Sequence, residues 1–410
     1  MLLNNDRAQD IMKQHKLDGL AAQLPKNVYY LTDYWGQLMA ADFDWSYFAV
    51  LPREPKGPAG LVLAALDLRN LITAGTWVPN IITYTDRPGV NAAKTNGGGI
   101  PYGGWPKREN ATLGPLSKQW VEGVTKWCAC TSATAIEGLV RAIKDAGLER
   151  GTIGVDDERL VSKLVEAGLT EARIVYARGV FNEIRIVKSQ AELELMRTAA
   201  SINEAAVLQA ISALKLGASW NEISRAYMTE MSRSGGEGVY LACGAGGLPH
   251  RKVIKGEPMM FDGLGKYKGY HGDFGRSAVV GDPSSEIEAR VKALQIGWNT
   301  AYDMIRPGVR YSQIRETVAK AVKAAGFPGA FRDPMPHSLG LEHTDDPRPL
   351  DLPPGLKPDR VLEENMTINV DLPHIEIGWG AVHLEDTVRV TKNGCEPLTS
   401  MQTDLRVIPA

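Results

Sequence analysis

The chain has 410 residues, 44% hydrophobic and 23% charged, with 46 basic against 48 acidic side chains and a formal net charge of −2. That length exceeds what one hydrophobic core usually serves, so two domains are expected. The near-neutral balance excludes the basic footprint of a nucleic-acid or anionic-membrane binder. There is no run of about 18 apolar residues, and the first ten residues lack the pattern of a secretory leader. The four cysteines, Cys128, Cys130, Cys243 and Cys395, have neither the number nor the spacing of a zinc or disulfide framework. A cytoplasmic protein with reduced, buried thiols is therefore expected.

In chain order, DRAQDIMKQHKLDGL reads as an amphipathic helix, and GLAAQL and NVYYL as short apolar strands. FAVLPR and GLVLAA follow as strands, then a Gly/Pro/Asn-rich stretch over residues 87–110 that is loop by composition. Its triplet Gly97, Gly98 and Gly99 lacks the strand-into-helix setting of a phosphate cradle and reads as surface loop. A helix through EGLVRAIKDAGL, the strand TIGVD and a helix in RLVSKLVEAGL complete an α/β layer domain. The texture changes near residues 177–190, where EIRIVKSQAELELMRTAA leads into a long amphipathic helix. The expected domains are residues 1–178 and 179–410.

The second domain carries a faint internal repeat. ALKLGASWNEISRAYMTEM (213–231) matches MIRPGVRYSQIRETVAKAV (304–322), pairing Gly217 with Gly308 and Ile223 with Ile314 at one common offset. Each copy precedes β-rich sequence holding carboxylates, so the domain is expected to consist of two related halves facing each other.

Those carboxylates lie in two hairpin-like stretches. In FDGLGKYKGYHGDFGRS the midpoint of Asp262 and Asp273 falls between Tyr267 and Lys268; in NVDLPHIEIGWGAVHLEDTVRV, Asp371 and Glu385 are centred on Gly378. If each segment folds at its centre, the acids of a pair stand across from each other with Cβ atoms about 5 Å apart, an unfavourable arrangement unless something positive lies between them. A solvated hairpin explains one such pair. Two pairs flanked by MMFD, HGDFG, INVDL and VHLED are better explained by buried carboxylates around a divalent cation.

Six of the seven histidines follow residue 180. His337, in PMPHSLGLEHTDD, is the candidate imidazole ligand; alone, such a histidine is more often a satisfied core residue, and the two acid-bearing hairpins favour the ligand. His343 and His250 are candidates for holding substrate. His271 and His383 each stand two residues before a candidate ligand acid and share its face by strand parity, so they are expected to orient the ligands, with Arg276 alongside.

These motifs resemble the pita-bread metallopeptidase superfamily (M24), and most closely its two-domain aminopeptidase P, prolidase and creatinase branch. The resemblance covers essentially the whole chain, carried by DRAQDIMKQHKLDGLAAQLPKNVYYLTDYWG, EIRIVKSQAELELMRTAA, FDGLGKYKGYHGDFGRS, HSLGLEH and HLEDTVRVTKNGCEPLT. It implies an α/β fold, with an N-terminal creatinase-like α/β domain and a C-terminal pita-bread α/β domain of pseudo-twofold halves. It implies that Asp262, Asp273, His337, Asp371 and Glu385 bind divalent metal, two ions of Mn, Co, Fe or Zn, and that His250, His343 and Asp371 serve catalysis. The implied activity is metal-dependent hydrolysis of a small substrate, an Xaa-Pro peptide or other compact amide, by a homodimer. Three features depart from the family: an aspartate, Asp371, stands where the family has glutamate, His343 lies six rather than seven residues beyond His337, and the segment between His250 and Asp262 is short. They keep open a metal-dependent lyase acting on a small carboxylate, like the dimethylsulfoniopropionate lyase of this branch. A metal-free creatinase-like hydrolase and a non-catalytic binding protein of the same fold are the remaining alternatives.

Overall fold

The computed structural model describes residues 1–43, 45–85, 108, 110–128, 131–244, 252–327, 331, 333–347 and 358–410. The chain divides into two compact units, Met1–Ile184 and Arg185–Ala410. Most of the glycine-rich stretch 87–110, Cys130 and His250 lie outside the described residues. Among the described cysteines, Cys128, Cys243 and Cys395 are free thiols.

The first unit is built on a six-stranded sheet of β1 (Gly19–Ala22), β2 (Tyr47–Pro52), β3 (Gly60–Ala64), β4 (Asn80–Tyr84), β5 (Thr152–Val155) and β6 (Arg173–Tyr176), ordered β4-β3-β2-β1-β5-β6. Leu20, Phe48, Val62, Ile82 and Ile153 are buried on its strands, and Leu139, Ile143 and Leu160 cover it from the helices Ala135–Asp145 and Arg159–Glu166. One expected strand is a helix: NVYYL belongs to Pro25–Thr32. Pro25 occupies the first helical turn, where its fixed φ suits the helix and its missing N–H costs nothing. Asp156, just past β5, accepts from the Gln23 and Leu24 N–H groups and from Asn27 Nδ2 at 2.8–3.0 Å, which fixes the entry into this helix. The apolar run is buried on nearly every face, so its periodicity could not separate helix from strand.

The second unit has two sheets. β7 (Glu237–Gly244), β8 (Met259–Tyr267), β9 (Tyr270–Val280) and β15 (Arg406–Ile408) run in the order β15-β9-β8-β7. The other sheet joins β10 (Met335–Ser338), β11 (Thr367–Glu376), β13 (Thr387–Val390) and β14 (Cys395–Pro397), with β12 (Gly380–Leu384) paired to β11. The helix Gln190–Ser212 opens with a capping box of Ser189 and Glu192. The sequence repeat has a structural counterpart. The helices Trp220–Arg233 and Tyr311–Ala324 are both 14 residues long, and each buries its first aromatic residue and the following isoleucine, Ile223 or Ile314. The Gly217 and Gly308 N–H groups, each with positive φ, donate to Val253 O and Leu362 O respectively. The halves meet where Gly275 of β9 and Glu385 exchange two backbone hydrogen bonds of 3.1 Å.

Candidate metal centre

Strand register brings the acids together. In the first hairpin the turn is Lys268–Gly269, both with left-handed φ (47° and 82°), and Tyr267 pairs with Tyr270. Such a two-residue turn matches the twist of the flanking strands. It lies one residue beyond the segment's symmetric centre, so Asp262 faces Gly275 and Asp273 faces Leu264. The two acids are therefore diagonal neighbours on one face, rather than directly opposed as the midpoint predicts. In the second hairpin the pairing ends at Leu372 and Leu384, and the next residues outward on the two strands are Asp371, which faces Met335, and Glu385, which is bridged to Gly275. β10 completes the set: Met335 faces Asp371 and His337 faces Asn369. Because Glu385 is bridged to Gly275, Asp262, Gly275 and Glu385 fall in one row across both halves.

Donor atoms converge in three overlapping triads, Asp273–His337–His343, Asp262–His383–Glu385 and His337–Asp371–Glu385, the atoms of each triad lying within 4.8 Å of one another. His343 Nε2 is 3.0 Å from Asp273 Oδ2. His337 Nε2 is 3.8 Å from Asp273 Oδ2 and 3.7 Å from Glu385 Oε1. His383 Nε2 is 3.1 Å from Asp371 Oδ1 and 3.6 Å from Glu385 Oε2. Asn369 Nδ2 donates to Glu385 Oε1 at 2.8 Å.

Burial makes this concentration of charge costly. Desolvation, reinforced by the Asp273 and Asp371 charges and opposed by His383, pushes the Asp262 carboxyl up to about 7. Glu385 is driven well above the carboxylate range by burial and then by Asp273, Asp371 and Asp262. Burial works against the charge on Asp371 too, but its hydrogen bond with His383 and the nearby imidazoles hold it below that range. Desolvation opposes protonation of His343 and His383, yet the carboxylates at Asp273 and Asp371 raise both imidazoles. The two neighbouring carboxyls are thus pushed in opposite directions, as a pair that titrates together.

The residues fit a divalent cation. Asp262 Oδ1, Asp273 Oδ1, Asn369 Oδ1 and His383 Nδ1 are buried and have no hydrogen-bond partner among the described residues. Asp273, His337 and Glu385 are each 1% exposed. Buried carboxylates with unused lone pairs beside imidazoles form the oxygen–nitrogen donor set that first-row divalent ions take. The packing leaves room for nothing larger at Gly275, where a Cβ would lie 2.6 Å from His383 Cε1 and 2.9 Å from Glu385 Cβ.

Of the remaining sequence candidates, His271 stands outside the triads: its Nδ1 is 2.9 Å from Gly340 O, and its backbone N–H donates to the same carbonyl. It braces the segment between His337 and His343. Arg276 is fully buried, donates to Gly275 O, Glu385 O and Gln402 O, and pairs with Asp386 at 2.8 Å. It fixes the backbone that carries Glu385. His383, expected only to orient a ligand, has its ring among the carboxylates. His343 sits in a segment anchored just downstream, where Asp345 accepts from Arg185 at 2.6 Å and Lys188 at 2.9 Å, and Asp346 from Tyr311 Oη at 3.0 Å.

Two residues escaped the sequence reading. Asn369 holds Glu385, and its only signal is being two residues before Asp371 on the same strand face. Tyr240 of β7 lies two residues from Ala242, the partner of Asp262. Tyr240 pairs with Leu264, so it shares the strand face of Asp262, and burial and then the four carboxylates raise its phenol above the ordinary value. Locating it required the β7–β8 register, which no motif encodes.

Residues 194–392 match the family model for metallopeptidase family M24. That match falls within the second unit. Among proteins of similar sequence, the Xaa-Pro dipeptidase of Pyrococcus furiosus is 27% identical over 237 residues, 55% of this chain and 66% of that protein. This chain thus spans just under two thirds of that relative. The probable dipeptidase PepE of Mycobacterium tuberculosis is 25% identical over 311 residues, 73% of this chain and 78% of that one. Among solved structures, the Xaa-Pro dipeptidase from Bacillus anthracis superposes with a TM-score of 0.72 over 98% of both chains at 18% identity. The X-Pro aminopeptidase from Thermotoga maritima gives 0.70 over 98% of this chain and all of that one, at 17% identity. The chain therefore has the two-unit α/β fold of these solved structures. No described helix is long and apolar enough to cross a membrane.

Proposed function

We propose that this chain is a metal-dependent hydrolase of short peptides with proline after the scissile bond. The observation that carries the reading is the convergence of Asp262, Asp273, His337, Asp371 and Glu385 from both halves of the second unit, with buried Asp262 and Asp273 oxygens that no described group satisfies. Those five side chains hold the metal, and the overlap of the triads supports two ions of the manganese, cobalt, iron or zinc type. When bound, a divalent ion supplies Lewis-acid polarisation of a carbonyl oxygen and a water of lowered pKa.

The chain's own groups account for the rest. Asp371 and Glu385 accept and return the proton at their carboxylate oxygens, Glu385 being steadied by Asn369. His343 is 43% exposed and bonded to Asp273, so its imidazole lies at the open side of the cluster and can donate to an oxygen that gains charge. The Pyrococcus relatives named Xaa-Pro dipeptidase support the substrate class.

The test is incubation of the metal-loaded chain with Xaa-Pro dipeptides and with tripeptides bearing proline second, followed by quantification of released amino acid. Metal-dependent release supports the reading. A fully metal-loaded chain that leaves every such peptide intact refutes it.

A further inference from the structure

We infer that His383 is a direct metal ligand, adding an imidazole to Asp262 and Glu385, two of the five acid and imidazole positions already assigned. The inference rests on the metal-dependent reading above and adds a donor to it. Three observations carry it.

The first is spacing. Two donor atoms bound to one first-row ion at about 2.1 Å sit about 3.0–3.4 Å apart. His383 Nε2 is 3.1 Å from Asp371 Oδ1, inside that range, and 3.6 Å from Glu385 Oε2, just outside it, and its ring shares with Asp262 and Glu385 a triad whose donor atoms lie within 4.8 Å of one another. The second is construction. The ring is 1% exposed, and its backbone is clamped on both sides, by Ser277 Oγ donating to His383 O at 2.9 Å and by His383 N–H donating to Ser277 Oγ at 2.8 Å. It lies against Gly275, where any Cβ would approach Nδ1 to 2.7 Å, so a glycine is what makes room for an imidazole here. The third is saturation. Asp262 Oδ1 and His383 Nδ1 are buried and have no hydrogen-bond partner among the described residues, so an ion that takes the Nε2 lone pair displaces only the bond to Asp371 and leaves Nδ1 free to carry the ring proton. Asp371 has the shorter carboxylate of the Asp371–Glu385 pair, and an imidazole beside it supplies a donor at the range a longer side chain would reach. Two imidazoles among carboxylates favour borderline ions such as zinc and cobalt over magnesium and calcium.

The test is zinc K-edge X-ray absorption on the full chain, stripped with chelator and reloaded with Zn²⁺, with metal per chain measured by elemental analysis. His383→Gln and His383→Ala are expected to lose about one imidazole scatterer per chain and to bind Zn²⁺ on the order of 10–100-fold more weakly. Should either variant fail to fold, anomalous diffraction from zinc-loaded wild-type crystals decides, with an anomalous peak within about 2.3 Å of His383 Nε2 expected. A wild type that binds zinc with an unchanged imidazole count in the variants, or with no anomalous peak within about 2.3 Å of His383 Nε2, overturns this inference and leaves the hydrolase reading standing. A wild type that takes up no metal overturns both.

Discussion

Asp345 and Asp262 are both carboxylates enclosed by the second unit, and they meet the cost of burial in opposite ways. Asp345 is 1% exposed, and both its oxygens are taken, Oδ1 by Arg185 at 2.6 Å and Oδ2 by Lys188 at 2.9 Å. Desolvation still works against its charge, but the two cations hold the carboxyl below its usual value. Asp262 has no lysine or arginine partner among the described residues; burial raises it to about 7 and one oxygen remains unbonded. Where the protein needs a fixed anchor, it supplies the cation itself. Where carboxylates are gathered and left short of cations, the charge has to come from outside the chain.

The largest effect should follow from breaking the second arrangement at its proton-handling pair. Asp371→Asn or Glu385→Gln is expected to lower kcat on an Xaa-Pro dipeptide by about 10²–10⁴ with an unaltered circular-dichroism spectrum. Breaking the first arrangement should act on stability instead. Lys188→Met removes one of the two cations on Asp345 and should cost about 3–5 kcal/mol in urea unfolding, with metal present or absent. A smaller effect of opposite sign is expected at Asp262. In chelator, Asp262→Asn relieves repulsion among the acids and should raise the unfolding free energy by about 1 kcal/mol. Added divalent ion should reverse that ranking, because the wild type gains about 2.7 kcal/mol at a hundred times Kd and the variant does not.

The weakest contrast lies in the first unit, at a partly exposed acid. Asp18 is held below its ordinary value of 3.8 by the Thr152 N–H and, further out, by Lys56 and Arg53, against a modest burial penalty. A depressed carboxyl stabilises the fold above its unfolded pKa and loses that contribution as pH falls through the folded value. Asp18→Asn should therefore cost on the order of 1 kcal/mol at pH 7, and that difference should shrink below pH 4. A penalty that grows toward low pH would contradict this assignment.

Much of the site was legible because hairpin chemistry is local. Apolar residues around each acid mark burial, a Lys-Gly or Ile-Gly-Trp turn sets the fold-back, and the placing of Asp371 and Glu385 as the next residues beyond the Leu372–Leu384 pair follows directly. The Asp262–Asp273 opposition did not, because a turn displaced by one residue converts an opposed pair into a diagonal one, and composition alone does not locate Lys268–Gly269 against Tyr267–Lys268. The helix Pro25–Thr32 was misread for a different reason: an apolar run buried all round carries no period, and the proline that opens it was the only start signal. Tyr240 and Asn369 depend on pairing between strands, which parity within one strand cannot supply. The ring of His383 was placed on the correct face, but how far it reaches between Asp371 and Glu385 is set by Gly275 on the neighbouring sheet.

The most direct test is elemental analysis of the wild type and Asp273→Ala, purified without a metal-binding tag and equilibrated with manganese, cobalt, iron or zinc. The account predicts stoichiometric first-row metal in the wild type and its loss from a folded Asp273→Ala chain. A wild type that stays metal-free with all four ions, or a variant that keeps the full complement, would contradict it.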